Sequence, residues 1–76
     1  MTMTTEPAAV WRLIQKADEV VKYAGNRDAA RAYQQASAAL DEAEAMIAEL
    51  ADAGIAQNFR AQIVTRRADI ARLMEG

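Results

Sequence analysis

The side chains able to do chemistry in this chain are carboxylates and guanidinium groups. Asp41, Glu42, Glu44, Glu49 and Asp52 fall within twelve residues with no base among them, and Arg60, Arg66, Arg67 and Arg72 follow within thirteen. Two carboxylates can share acid–base work when the environment holds one protonated beside the other. Pairs such as Glu42 with Glu49 have only the ordinary spacing of a solvated helix. The chain has no histidine and no cysteine, so no hydroxyl has a base to activate it and the usual metal ligands are missing. Its glycines, Gly25, Gly54 and Gly76, are too far apart to build a phosphate loop. No residue is therefore assigned as catalytic, cofactor-binding or metal-ligating, and the expectation is that the protein is not an enzyme. The chemistry left is pairing of arginine with carboxylate.

Seventy-six residues make one domain, and a chain of that length buries only about 60% of its unfolded surface. The net charge of −2 argues against an electrostatic grip on nucleic acid. No run reaches the length of a membrane span, and the opening MTMTTEP lacks the basic and apolar regions of a secretory signal. A cytoplasmic protein is the default expectation. Nineteen alanines, with seven arginines against two lysines, suggest a GC-rich bacterial genome.

The charged segments need helices to position them. Asn26–Ala53 reads NRDAARAYQQASAALDEAEAMIAELADA, with no internal Gly or Pro. Ala29, Tyr33, Ala36, Leu40, Ala43, Ile47 and Leu50 alternate spacings of four and three, which sets them on one helical face. Ala32, Ala39, Met46 and Ala53 widen that face beyond what one neighbour needs, so this helix lies between two others. Upstream, Thr5 or Glu6 can cap a first helix with Pro7 in its first turn. Its stripe is Val10, Leu13, Ala17, Val20 and Ala24, widened by Ile14 and Val21. Gly25 ends it and Asn26 caps the next. Gly54 is expected to end the middle helix after about 26 residues, roughly 39 Å. A third helix then carries Ile55, Phe59, Ile63, Ile70, Leu73 and Met74 on one face.

The reading is an all-α, antiparallel up-down-up three-helix bundle with a long central helix. Residues 1–4 are a disordered tail, and 5–76 form one domain with helices at about 6–24, 27–53 and 56–74. Pairing about Gly54 brings Arg66 and Arg67 near Asp41, Glu42 and Glu44. Such surface pairs fix register and are worth at most about 1 kcal/mol each. Arg66 sits inside the apolar stripe and must reach outward.

Two features are left over. Ala61, Val64, Ala68 and Ala71 form a second strip on the third helix, roughly opposite its core face, flanked by Arg60, Arg67 and Arg72. Small residues admit another backbone closely, although alanine is also simply a good helix former. Trp11 lies about 120° from the centre of its helix's stripe, where it covers the end of the bundle or anchors a partner.

Ala17, Ala29, Tyr33 and Ala36 occupy the positions of the small-residue and aromatic pattern of a tetratricopeptide repeat. Only one repeat is present, and Asp41 stands where a repeat carries its closing proline. Leu13-Ile14-Gln15-Lys16-Ala17, Ala29 with Tyr33-Gln34-Gln35-Ala36, and Arg67-Ala68-Asp69 together resemble the three helices of the MIT (microtubule interacting and transport) domain. The resemblance spans nearly the whole chain. It implies a non-catalytic adaptor that binds short helical motifs beside its third helix, with an acidic peptide between the second and third helices and polar contacts from Arg67 and Asp69. The chain departs from the family at Thr65, where a large apolar residue usually holds the peptide, and at Gly54, which would lengthen the second helix by about a turn.

The expected function is a small interaction module that docks a helical, acidic segment or a partner domain. Its binding residues are Arg60, Ala61, Val64, Arg67, Ala68, Asp69, Ala71 and Arg72, with Trp11 as a further candidate. The alternative is a structural homo-oligomer packed through the Ala/Val strip. A DNA-binding regulator ranks last, because the middle helix's acids repel phosphate.

Overall fold

The computed structural model describes residues 5–24 and 29–75. They form three helices, α1 (Pro7–Lys22), α2 (Ala29–Ile47) and α3 (Ala53–Glu75), and no strand occurs among them. The all-α, three-helix fold class is thus as expected from periodicity. The tail at 1–4, the Gly25 and Asn26 caps and the stop at Gly76 lie outside the described residues.

Pro7 opens α1 at a position where its missing N–H goes unused. Glu6 precedes it in extended conformation without a side-chain cap, and its carbonyl accepts from the Ala9 N–H at 3.0 Å. Thr5 does not cap α1 either. Its hydroxyl donates to Glu49 Oε2 at 2.9 Å, which sets the start of α1 beside the end of α2, as an antiparallel order of neighbours requires. At its far end α1 stops at Lys22, two residues short of the expected 24.

The middle helix needs correcting. It ends at Ile47, with 19 residues against 23 in α3, so it is not the long element and does not reach Ala53. Glu49 and Leu50 donate to the carbonyls of Met46 and Ile47 at 3.0 Å, tight turns that unwind the helix. The next helix is started by Asp52. Its Oδ1 accepts the Ile55 N–H and its carbonyl the Ala56 N–H, both at 3.0 Å, which satisfies donors that a helix start otherwise leaves open. Gly54 falls in the first turn of α3 rather than at the end of α2, so α2 is not lengthened by it. Asp52, expected within the last turn of the middle helix, sits instead at the N-terminus of α3, where negative charge is favourable.

The core joins Val10, Ile14 and Ala17 of α1, Ala36, Ala39, Leu40, Ala43 and Ile47 of α2, and Ala56, Ile63 and Ile70 of α3. Leu13, Val20, Val21, Tyr33, Met46, Leu50 and Phe59 pack around it, half buried. No polar side chain is buried among the described residues. α1 and α2 pack most extensively, α3 rests mainly on α2, and α1 meets α3 least. The expected third-helix face is only partly used: Ile55, Leu73 and Met74 are 38%, 47% and 59% exposed. At 23 residues α3 is longer than either neighbour, so its two ends outrun the surface that would cover them. The radius of gyration, 13.2 Å, exceeds the roughly 11 Å of a compact chain this long, in keeping with a thin core.

Candidate functional site

Every proposed binding residue but Trp11 lies on α3, and the helix sorts them by angle. Ile63 and Ile70 turn inward. Ala61, Val64, Ala68 and Ala71 are all exposed, Val64 by 66%, so the second strip faces solvent as expected. Thr65 beside it turns its hydroxyl back to the Ala61 carbonyl at 3.1 Å, a local bond open to helical threonines.

The arginines differ from one another. Arg67 bridges to α2, with Nη2 donating to Asp41 Oδ1 and Glu44 Oε2 at 2.7 Å each. The hydrogen bond to Asp41 is the main cause that raises the Arg67 pKa above its ordinary value, opposed by partial burial and supported by the bond to Glu44. Arg67 therefore meets any partner already engaged by two carboxylates. Arg72 donates to Asp69 one turn back at 3.1 Å, with both side chains more than half exposed, an arrangement that contributes little. Arg60 has no ion pair among the described residues and is exposed.

Arg66 does not join the acids of α2. Its Nε and Nη2 donate to Asp18 Oδ1 and Oδ2 of α1 at 2.8 and 2.9 Å, a two-point contact that matches guanidinium to carboxylate. Nη1 also donates to the Gln62 carbonyl at 3.2 Å. The stem is covered and the head reaches out, leaving the side chain 22% exposed. Glu42, expected near these arginines, makes no ion pair among the described residues. Asp18 was missed by sequence reasoning, which sought partners only across the nearer hairpin.

Shallow clefts lie on both sides of α3. One, of about 220 Å³, has Ile63 and Val64 as floor and Glu44, Arg60 and Arg67 as rim, between α2 and α3. The other, of about 100 Å³, lies between α1 and α3, with Val21, Ile70 and Leu73 beneath the Asp18–Arg66 pair. Trp11 is 38% exposed and lines neither. Among the described residues no three carboxylates gather as metal ligands do, and no helix is long and apolar enough to cross a membrane. Comparison of the chain with protein-family models, curated proteins and solved structures finds no match.

Proposed function

We propose that this chain is a small non-catalytic interaction module whose third helix docks a helical, acid-bearing segment of a partner protein. One observation carries the reading. Val64, 66% exposed on α3, forms with Ile63 the floor of a cleft whose rim offers Arg60, which has no ion pair among the described residues. An amphipathic helix laid along α3 covers Val64 with its apolar face and brings a carboxylate to Arg60. Arg67 contributes less, because its partner must compete with Asp41 and Glu44. The outer alanines, Ala61, Ala68 and Ala71, let the incoming backbone approach closely, and Asp69 and Arg72 border the surface at its far end. The MIT-like pattern of residues is consistent with this use of the third helix.

The test is a titration of the isotope-labelled protein with a designed amphipathic peptide whose apolar face is leucine and whose flanks are glutamate. The expected result is a saturable set of amide shifts confined to α3 and the facing turns of α2, lost in Ala68→Glu with the circular dichroism spectrum retained. Shifts scattered over all three helices, or equal binding by the variant, overturn the reading.

A further inference from the structure

The break between α2 and α3 is made of residues that favour helix. Ala48, Glu49, Leu50 and Ala51 are all strong helix formers, and neither Gly nor Pro lies among them. Two tertiary contacts and one local cap hold the chain open there: Leu50 packs against the core, Glu49 accepts the Thr5 hydroxyl at 2.9 Å, and Asp52 starts α3 afresh. These are few and mostly at the surface. The attachment of α3 beyond the break is also modest, since it buries only Ala56, Ile63 and Ile70.

Phase gives the break its consequence. Ile47 and Ile63 are sixteen residues apart, so in one continuous helix they would point about 160° away from each other. Both are fully buried in the folded chain, which the break alone permits. If 48–52 becomes helical, the buried face of α3 turns away from its own α1–α2 hairpin. That leaves two complementary surfaces on every chain, an empty hairpin and an unhoused α3.

We propose that Ala48–Asp52 is a helix-forming hinge through which α3 leaves its own hairpin and seats on that of a second copy. The hairpin itself specifies the occupant, because its contacts are already those of α3. Asp18 receives Arg66, and Asp41 with Glu44 receives Arg67, in the exchanged form as in the closed one. This association uses the inner face of α3 and is independent of docking on its outer face.

Charge reversal across the Asp18–Arg66 pair separates exchange from ordinary surface contact. Asp18→Arg sets two arginines against each other, and Arg66→Asp sets two aspartates. In an equimolar mixture, warmed through unfolding and cooled, an exchanged pair restores opposite charges at both hairpins. Light scattering should then show a species of two chains, one of each variant, that melts higher than either variant alone. Ala51→Pro placed in both chains forbids a continuous helix and should abolish it. In the otherwise native chain, Asp52→Ala removes the cap and should lower the midpoint concentration for a two-chain or larger species by roughly tenfold. A mixture that behaves as the sum of its components, or an Asp52→Ala chain of single-chain mass at every concentration, overturns the proposal.

Discussion

Leu40→Ala is the substitution that tests the core most directly. Leu40 is fully buried, on the face of α2 that α1 and α3 share. Truncation removes three carbons, about 2.4 kcal/mol of transfer free energy at ~0.8 each. A cavity contribution adds to this, and it is sizeable here because the nearest buried residues along the helix, Ala36, Ala39 and Ala43, are too short to fill the void. A total of about 4 kcal/mol is expected, in the upper half of the ~2–5 kcal/mol range for such changes. A 76-residue chain has in all only about 4–11 kcal/mol of stability. The melting temperature should fall by about 15–30 °C, at ~4–8 °C per kcal/mol. Urea unfolding followed by far-ultraviolet circular dichroism measures it, with Leu73→Ala, at a position 47% exposed, as the comparison. A loss below about 1 kcal/mol, or one no larger than that of Leu73→Ala, would refute the placement of Leu40 at the centre of the packing.

Glu44→Lys should destabilise the protein by up to about 1 kcal/mol at low salt and by less at high salt, since it removes one partner of Arg67 and sets a second cation against it; a deficit insensitive to salt in chemical denaturation would count against that contact. Gly54→Ala should change stability by under about 1 kcal/mol, because the gain of alanine in a helix is opposed by its added Cβ, which meets the capping Asp52 Oδ1 at 3.3 Å and requires it to shift. A loss well beyond about 1 kcal/mol in thermal melts would instead place Gly54 at a helix end. Ala68→Glu should leave the melting temperature within a few degrees of the parent, as an exposed helix position allows, and a large drop would show that the strip is packed in the folded chain.

Periodicity located three helices because each carries its own stripe, and Pro7 marked the start of α1 to within a residue. It failed at the end of α2 for a definite reason. Nothing in Ala48–Ala51 opposes helix locally, so the stop comes from Leu50, Thr5 and Asp52, and only the last of these is a local signal. The Arg67 bridge was legible because folding about one turn brings Arg67 to Asp41 and Glu44. The Arg66 contact was not, because Asp18 lies 48 residues away on a helix not joined directly to α3. The outward strip on α3 followed from its angle to Ile63 and Ile70. Leu73 and Met74 show the limit of that argument, since a stripe reports which residues share a face and not whether a neighbour extends far enough to cover them.

The three alanines on the buried face of α2 determine where the chain tolerates change. Ala36 and Ala43 have no exposed surface and Ala39 has 4%, so each leaves its neighbours no room for a larger side chain. Adding even a few carbons there forces off-rotamer side chains or moves a helix, at about 1–3 kcal/mol. In a saturation library selected for folding, depletion should therefore be sharpest at these smallest positions. Leu40 and Ile47 would still accept methionine or each other's residue, and the many alanines on the outer faces would drift freely. A residue type that makes up a quarter of the chain would thus divide into two populations with opposite selective constraint, distinguishable only by which way each methyl group points.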